Sequence, residues 1–149
     1  MKFRFVIVDD TAFIREIIKN IGESLGGVCV GEGETGMDAI ALVRKTLPDL
    51  LFLDLVMPIR NGLEVLGEIK EIWPDLKIVA CSTLDQQHII DEALIKGVHH
   101  YLTKPFSKEE IELAIDKLIL ARKDQKNVWF CLCIKMFGIY SYFGIFNAD

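Results

Sequence analysis

Five short apolar runs alternate along the chain with helix-like segments, and this alternation constrains the fold more than any other feature. The runs cover residues 3–8, 28–30, 50–53, 77–81 and 101–102. They lack the polar alternation of half-exposed strands, which predicts strands buried on both faces and hence a parallel sheet with helices on either side. Right-handed crossovers between such strands predict a doubly wound α/β sandwich.

The segments between the runs carry the signals of amphipathic helices. Isoleucine and leucine recur at helical spacing through residues 14–25, on one face of a first helix. Pro48 ends the second helix, Gly97 follows the fourth as a C-terminal cap, and Ser107 with Glu110 forms a capping box at the start of the fifth. The predicted later helices cover residues 37–46, 63–73, 86–96 and 107 to about 122.

Polar side chains follow four of the five strands at the point where each strand ends. They are the pair Asp9 and Asp10, then Asp54, Ser82 and the dipeptide containing Lys104. Because ligands of open parallel sheets bind beyond the carboxyl ends of the strands, we expect these side chains to share one site.

Three carboxylates at one sheet edge repel each other, and a hard divalent cation such as Mg²⁺ would relieve the conflict. A carboxylate beside such a cation can act as a nucleophile toward a phosphoryl group, with a lysine neutralising the phosphoryl oxygens. Other interpretations exist for each residue alone: Asp10 could cap the helix after it, and Lys104 could be a surface charge. The agreement of four strand ends favours the shared site.

Together these motifs resemble the response-regulator receiver domains. Asp54-Leu-Val-Met-Pro with Gly62 is similar to the family's phosphorylation loop, and the aspartate pair, Ser82 and Thr103-Lys-Pro-Phe match its acidic pair, switch hydroxyl and lysine loop. The resemblance covers residues 3 to about 122. It implies a (βα)5 flavodoxin-like sandwich with a five-stranded parallel sheet.

The resemblance implies a role for each matching residue at the acidic site. Asp54 is the expected phosphoacceptor. Mg²⁺ is expected to bind Asp10 directly, Asp9 through water, Asp54 itself and the backbone carbonyl of Val56. Lys104 is expected to pair with the phosphoryl group.

The resemblance also implies the parts of a conformational switch. Ser82 is expected to turn toward the phosphoryl oxygen, and the neighbouring Thr83 is the alternative candidate for this switch hydroxyl. Tyr101 matches an aromatic residue that turns inward, and packing at the sheet edge is an equally good interpretation of it. A cis peptide bond before Pro105 is expected to aim the lysine.

Charge and length set the expected partners. A net charge of −5 gives no indication of nucleic-acid binding, and the cysteines suggest reduced thiols in the cytoplasm. Too few residues follow position 122 for a DNA-binding or enzymatic output module, so we expect a stand-alone, chemotaxis-type regulator or relay intermediate. We do not expect an enzyme: the only reactions implied are phosphorylation of the chain itself and hydrolysis of its aspartyl phosphate. Its expected partners are a sensor histidine kinase or histidine phosphotransfer protein, and a target bound on the face of helix four, strand five and helix five.

The C-terminal residues depart from the family. A polar linker, residues 123–127, separates the receiver domain, residues 1–122, from an apolar tail, residues 128–149, which contains half of the chain's aromatic residues. An extension without a function is the favoured interpretation, an interaction element comes second, and a membrane anchor comes last because Lys135 would be costly in a bilayer. The alternative function is accordingly a membrane-tethered or oligomeric scaffold that uses the receiver fold for docking.

Overall fold

The computed structural model describes residues 2–120, so the predictions for the linker 123–127 and the tail 128–149 lie outside the described residues. Strands and helices alternate five times in this part of the chain. The strands are β1 (Phe3–Val8), β2 (Gly27–Gly33), β3 (Leu50–Asp54), β4 (Lys77–Ser82) and β5 (His100–Thr103). The helices are α1 (Ala12–Ser24), α2 (Gly36–Thr46), α3 (Gly62–Ile72), α4 (Gln87–Ile95) and α5 (Lys108–Ile115), and a π-helical segment, Asp116–Leu120, follows α5.

The five strands form one parallel sheet in the order β2-β1-β3-β4-β5. The chain runs outward from β1 to β2, then returns across β1 to β3 and continues to β5. This reversal places the carboxyl ends of β1 and β3 side by side, at the position where doubly wound sheets bind ligands. The predicted doubly wound, flavodoxin-like sandwich is confirmed.

Apolar side chains pack on both faces of the sheet, which explains the absence of polar alternation in the strands. On one face Leu51 and Leu53 of β3 pack in a cluster with residues of α2 and α3. On the other face Leu50 and Phe52 of the same strand pack with residues of α1 and α5. Every residue of β3 is buried, so this strand carries Asp54 on a rigid support inside the domain.

Local signals set several helix ends. The predicted capping box of Ser107 and Glu110 is confirmed at the start of α5, and Gly97, with φ 102°, follows the C-cap residue of α4. Leu47 takes a left-handed conformation, with φ 44°, between the last residue of α2 and Pro48. No helix within residues 2–120 is long and apolar enough to cross a membrane.

The end of the last helix differs from the expectation. A helix running from 107 to about 122 was expected, but the α-helical pattern stops at Ile115 and a π-helical pattern continues to Leu120. The spacing of apolar side chains cannot distinguish these two patterns over a single turn, because both keep Ile119 on the buried side.

Candidate functional site

The polar residues at the strand ends converge on the carboxyl edge of the sheet, as the sequence predicts. Carboxylate oxygens of Asp9, Asp10 and Asp54 all lie within 4.8 Å of one another. Asp9 and Asp54 are 1% and 3% exposed, and Ser82, at the end of β4, is fully buried. We call the three aspartates the carboxylate cluster.

Lys104 brings a positive charge into the carboxylate cluster from the loop after β5. Its Nζ donates to Asp9 Oδ2 at 2.6 Å and to Asp54 Oδ2 at 3.1 Å. Its backbone N–H donates to the carbonyl oxygen of Ser82 at 2.7 Å, which ties the lysine loop to β4. The peptide bond between Lys104 and Pro105 is cis. One ammonium group therefore bridges side chains from two separate strand ends.

Burial and charge act in opposite directions on the ionisation of this site. Burial raises the pKa of Asp54 above its usual range, and the N–H of Val56 and the charge of Lys104 lower it without cancelling this effect. Burial lowers the pKa of Lys104, but the hydrogen bond to Asp9 and the charges of both aspartates outweigh it, so that pKa lies above its usual range. The ammonium group of Lys104 therefore stays charged, while the ionised form of Asp54 would be stabilised by a further cation.

The loop after β3 orients the Asp54 side chain. The backbone N–H of Val56 donates to Asp54 Oδ1 at 2.9 Å, so each carboxylate oxygen of Asp54 has a donor. At Gly62 a Cβ atom would overlap the backbone carbonyl of Asp54, and only glycine allows α3 to start this close to the strand end. The role of the Val56 carbonyl as a metal ligand stays a prediction.

Asp9 and Asp10 have different surroundings although they are adjacent. Asp9 is buried, and its Oδ1 accepts from the backbone N–H of Thr11 at 2.9 Å. Asp10 is exposed, and the hydroxyl of Thr11 lies 3.4 Å from its Oδ1. The N-cap residue of α1 is Thr11, so Asp10 does not cap the helix and its oxygens stay available to a ligand.

The two candidate switch residues both contact the backbone of Leu84. The N–H of Leu84 donates to Ser82 Oγ at 3.1 Å, and its carbonyl accepts from the Tyr101 hydroxyl at 2.7 Å. Thr83 is exposed, whereas Ser82 lies in the wall of the site. If the Ser82 hydroxyl turned toward Asp54, the Leu84 N–H would lose its acceptor, and the backbone of Leu84, whose carbonyl accepts from Tyr101, would lose one of these two hydrogen bonds.

The donor set suits a hard divalent cation. Asp9, Asp10 and Asp54 offer only carboxylate oxygens, which are the ligands that Mg²⁺ and Ca²⁺ prefer. Backbone carbonyls of the adjoining loops are further oxygen donors. Three carboxylates against one ammonium group leave the site with excess negative charge, and a cation would balance it.

One contributor to the site, Arg15 in α1, had not been singled out from the sequence. Its Nη1 donates to the backbone carbonyl of Asp9 at 2.7 Å. A single arginine on a helix between isoleucines gives the pattern of an ordinary solvated face, so periodicity provides no signal for this contact. A cavity of about 430 Å³ beside Phe3, Trp73 and Lys77 is lined by none of the cluster residues.

Comparisons with known proteins give a consistent set of relatives. The family described as the response regulator receiver domain matches residues 5–116. The chain is 35% identical to chemotaxis protein CheY of Thermotoga maritima over 115 residues, covering 77% of this chain and 96% of that protein. It is 36% identical to chemotaxis protein CheY of Bacillus subtilis over 119 residues, covering 80% and 99%. Among solved structures, the REC domain of AraT, a response regulator from Geobacillus stearothermophilus, superposes with a TM-score of 0.75 at 28% identity, covering 85% of this chain and 99% of that one.

Proposed function

The chain belongs to the response-regulator receiver family, and we propose that it is a stand-alone, chemotaxis-type regulator that accepts a phosphoryl group on Asp54. The observation that carries the proposal is the bridge of Lys104 Nζ between Asp9 and Asp54, with Asp10 beside them. A nucleophilic carboxylate, a cation site and a neutralising lysine are the parts that phosphoryl transfer needs. In this proposal the receiver domain spans residues 1–122 and acts in the cytoplasm.

The donor would be the phosphohistidine of a sensor kinase or of a histidine phosphotransfer protein. One carboxylate oxygen of Asp54 forms a bond to phosphorus while the phosphorus–nitrogen bond of the phosphohistidine breaks, and the electron pair of that bond stays on the imidazole. Val56 N–H holds the attacking carboxylate in one orientation. Lys104 lies within hydrogen-bond distance of Asp54 and would donate to a phosphoryl oxygen once the product forms. The chain thereby undergoes its own phosphorylation and is not an enzyme acting on a separate metabolite.

The cation in this proposal is Mg²⁺, held by Asp9, Asp10, Asp54 and the backbone carbonyl of Val56. When bound, it would neutralise charge on the phosphoryl oxygens as they approach the buried carboxylate. The raised pKa of Asp54 supports a need for such a charge, because the anionic nucleophile is disfavoured by its burial.

The output would be binding of a target protein on the face formed by α4, β5 and α5. Three large apolar side chains are exposed on the two helices: Leu94 and Ile95 on α4, and Leu113 on α5. Ile95 is 85% exposed, an arrangement that suits a surface covered by a partner. Tyr101 on β5, linked through Leu84 to Ser82, would carry the change from the phosphorylation site to this face.

Labelling with a small phosphodonor tests the proposal. We expect acetyl phosphate with Mg²⁺ to add one phosphoryl group, seen as a mass increase of the intact protein. Asp54→Asn should abolish the increase because an amide is a poor nucleophile. The matched control is Asp75→Asn, an exposed aspartate that precedes β4 at the opposite edge of the sheet and should leave labelling unchanged. Wild-type labelling of Asp54→Asn would show that the acceptor is another residue.

A further inference from the structure

Arg15 contacts the loop that carries the two N-terminal aspartates of the carboxylate cluster, through the backbone and not through a side chain. It lies in the first turn of α1, and its side chain is only 13% exposed. Nη1 donates to the carbonyl oxygen of Asp9 at 2.7 Å, a short bond from a charged donor. That carbonyl belongs to the peptide unit that joins Asp9 to Asp10.

Two glutamates of the neighbouring strand region hold the guanidinium in this orientation. Nη2 donates to Glu34 Oε1 at 3.1 Å, and Nε lies 3.5 Å from Glu32 Oε1. Nε is buried and makes no hydrogen bond. The hydrogen bonds of the guanidinium are therefore those to Glu34 and to the Asp9 carbonyl, and its contact with Glu32 is an ion pair without a hydrogen bond.

Asp9 and Asp10 depend on this contact to different extents. Asp9 is fixed at every polar atom: its side-chain oxygens accept the bonds described above, and its backbone N–H donates to the carbonyl of Gly33 at 3.1 Å. Asp10 is exposed and has one contact of 3.4 Å to the adjacent hydroxyl. The direction of the Asp10 side chain therefore follows from the orientation of the peptide before it, whose oxygen Arg15 holds.

We infer that Arg15 is a positioning residue: by fixing the peptide between Asp9 and Asp10, it places the Asp10 carboxylate for cation binding. The inference rests on the proposed function, because it concerns how tightly the carboxylate cluster binds Mg²⁺. Residues that orient metal ligands in this way typically change metal affinity by about ten- to a hundredfold when they are removed.

The sign of the effect separates positioning from a purely electrostatic role. Arg15→Gln removes a positive charge close to a cation site, leaves Glu34 without this partner and leaves Glu32 with Lys19. Electrostatics alone would therefore make Mg²⁺ bind more tightly. Loss of positioning makes Mg²⁺ bind more weakly, by about tenfold. The two explanations cannot give the same result.

The experiment is a calorimetric titration of the full chain with Mg²⁺. The matched control is Lys19→Gln, which removes the same charge from the same helix and the same partner, since Lys19 Nζ lies 3.0 Å from Glu32 Oε2. Lys19 is four residues further along α1 and does not share the contact with Asp9. A second variant, Arg15→Lys, keeps the charge but has one ammonium group in place of the planar fork that reaches Asp9 and Glu34 together.

We expect Arg15→Gln to weaken Mg²⁺ binding about tenfold, Arg15→Lys to weaken it by a smaller factor and Lys19→Gln to leave it nearly unchanged. Labelling by acetyl phosphate should return toward the wild-type rate when Mg²⁺ saturates the Arg15→Gln protein. Unchanged or tighter binding by Arg15→Gln, or equal weakening by Lys19→Gln, would overturn the inference. If Arg15→Gln does not fold in a thermal melt, Arg15→Lys decides by the same titration: weaker binding supports positioning, and wild-type binding overturns it. Failure of the wild-type chain itself to bind Mg²⁺ or to be labelled would refute the proposed function instead.

Discussion

Ile59, in the loop between β3 and α3, stores backbone strain, and replacing it should stabilise the protein. Its φ is 72°, in the left-handed region that a β-branched residue rarely adopts. The N–H of Arg60 donates to the carbonyl of Pro58 at 2.9 Å, closing a γ-turn around Ile59. Strain of this kind costs roughly 1–3 kcal/mol. The side chain is 84% exposed, so its removal forfeits little burial.

We expect Ile59→Asn to raise the free energy of unfolding by about 1 kcal/mol, because asparagine adopts a positive φ at lower cost than a β-branched residue. In a domain of this size that corresponds to an increase in Tm of about 3–5 °C. The control is Ile95→Asn, an isoleucine that is 85% exposed at the end of α4 without a positive φ. Thermal and urea unfolding of the two variants measure the difference. Equal stability changes in the two variants, or a loss of stability in Ile59→Asn, would refute the argument from strain.

Three further predictions concern pH, lifetime and length. His99 Nδ1 accepts from the N–H of Ile78 at 3.2 Å, and burial with nearby lysine charge lowers the pKa of His99 from 6.5 to about 4. Between pH 4 and pH 6.5 the unfolded chain binds more protons than the folded chain, so the free energy of unfolding should rise with pH, by about 1 kcal/mol after screening of this partly exposed ring. Unfolding measured across this pH range should show the rise in the wild type and not in His99→Asn. Val56 and Leu84, two residues after Asp54 and Ser82, have no polar side-chain group to position a hydrolytic water. The double variant Val56→Asn with Leu84→Glu should therefore shorten the lifetime of the aspartyl phosphate. An unchanged rate of decay would contradict this prediction. A chain that ends at residue 126 should melt and be labelled like the full chain, since the described residues 2–120 already contain the sheet and the site; an unfolded truncation would show that the tail belongs to the domain.

The order of elements and the position of the site could be predicted because both depend on local patterns. The buried strands are largely apolar runs, and four of the five are followed by a polar residue that stands out against the run. Because the carboxyl ends of parallel strands lie at the same edge of a sheet, the proximity of Asp9 and Asp54 could be predicted without knowledge of side-chain contacts. Among the strands, the predicted boundaries differ most at β2, expected at 28–30 and observed at Gly27–Gly33, because the partly exposed edge strand lacks a strong apolar signal.

The contacts of Arg15, Ile59 and His99 could not be predicted because they depend on tertiary geometry. Arg15 meets Asp9 and Glu34 only after α1 packs beside β2, and 19 residues separate it from Glu34. The positive φ of Ile59 contradicts its residue preference, so propensity gives the wrong expectation. The sequence around His99 gives no sign of a hydrogen-bond partner for its ring. The ring accepts a hydrogen bond from β4, which becomes visible only when the register between β4 and β5 is known.

The central claim is that Asp54 carries the phosphoryl group, and the residue that carries this group can be identified directly. Reduction with borohydride converts an aspartyl phosphate to homoserine, and mass spectrometry of the peptides then locates the modified residue. After labelling with acetyl phosphate and Mg²⁺, the account predicts the conversion at Asp54 alone, with Asp9 and Asp10 unmodified although they lie in the same cluster. Conversion at Asp9 or Asp10, or a labelled protein with no conversion at Asp54, would contradict it.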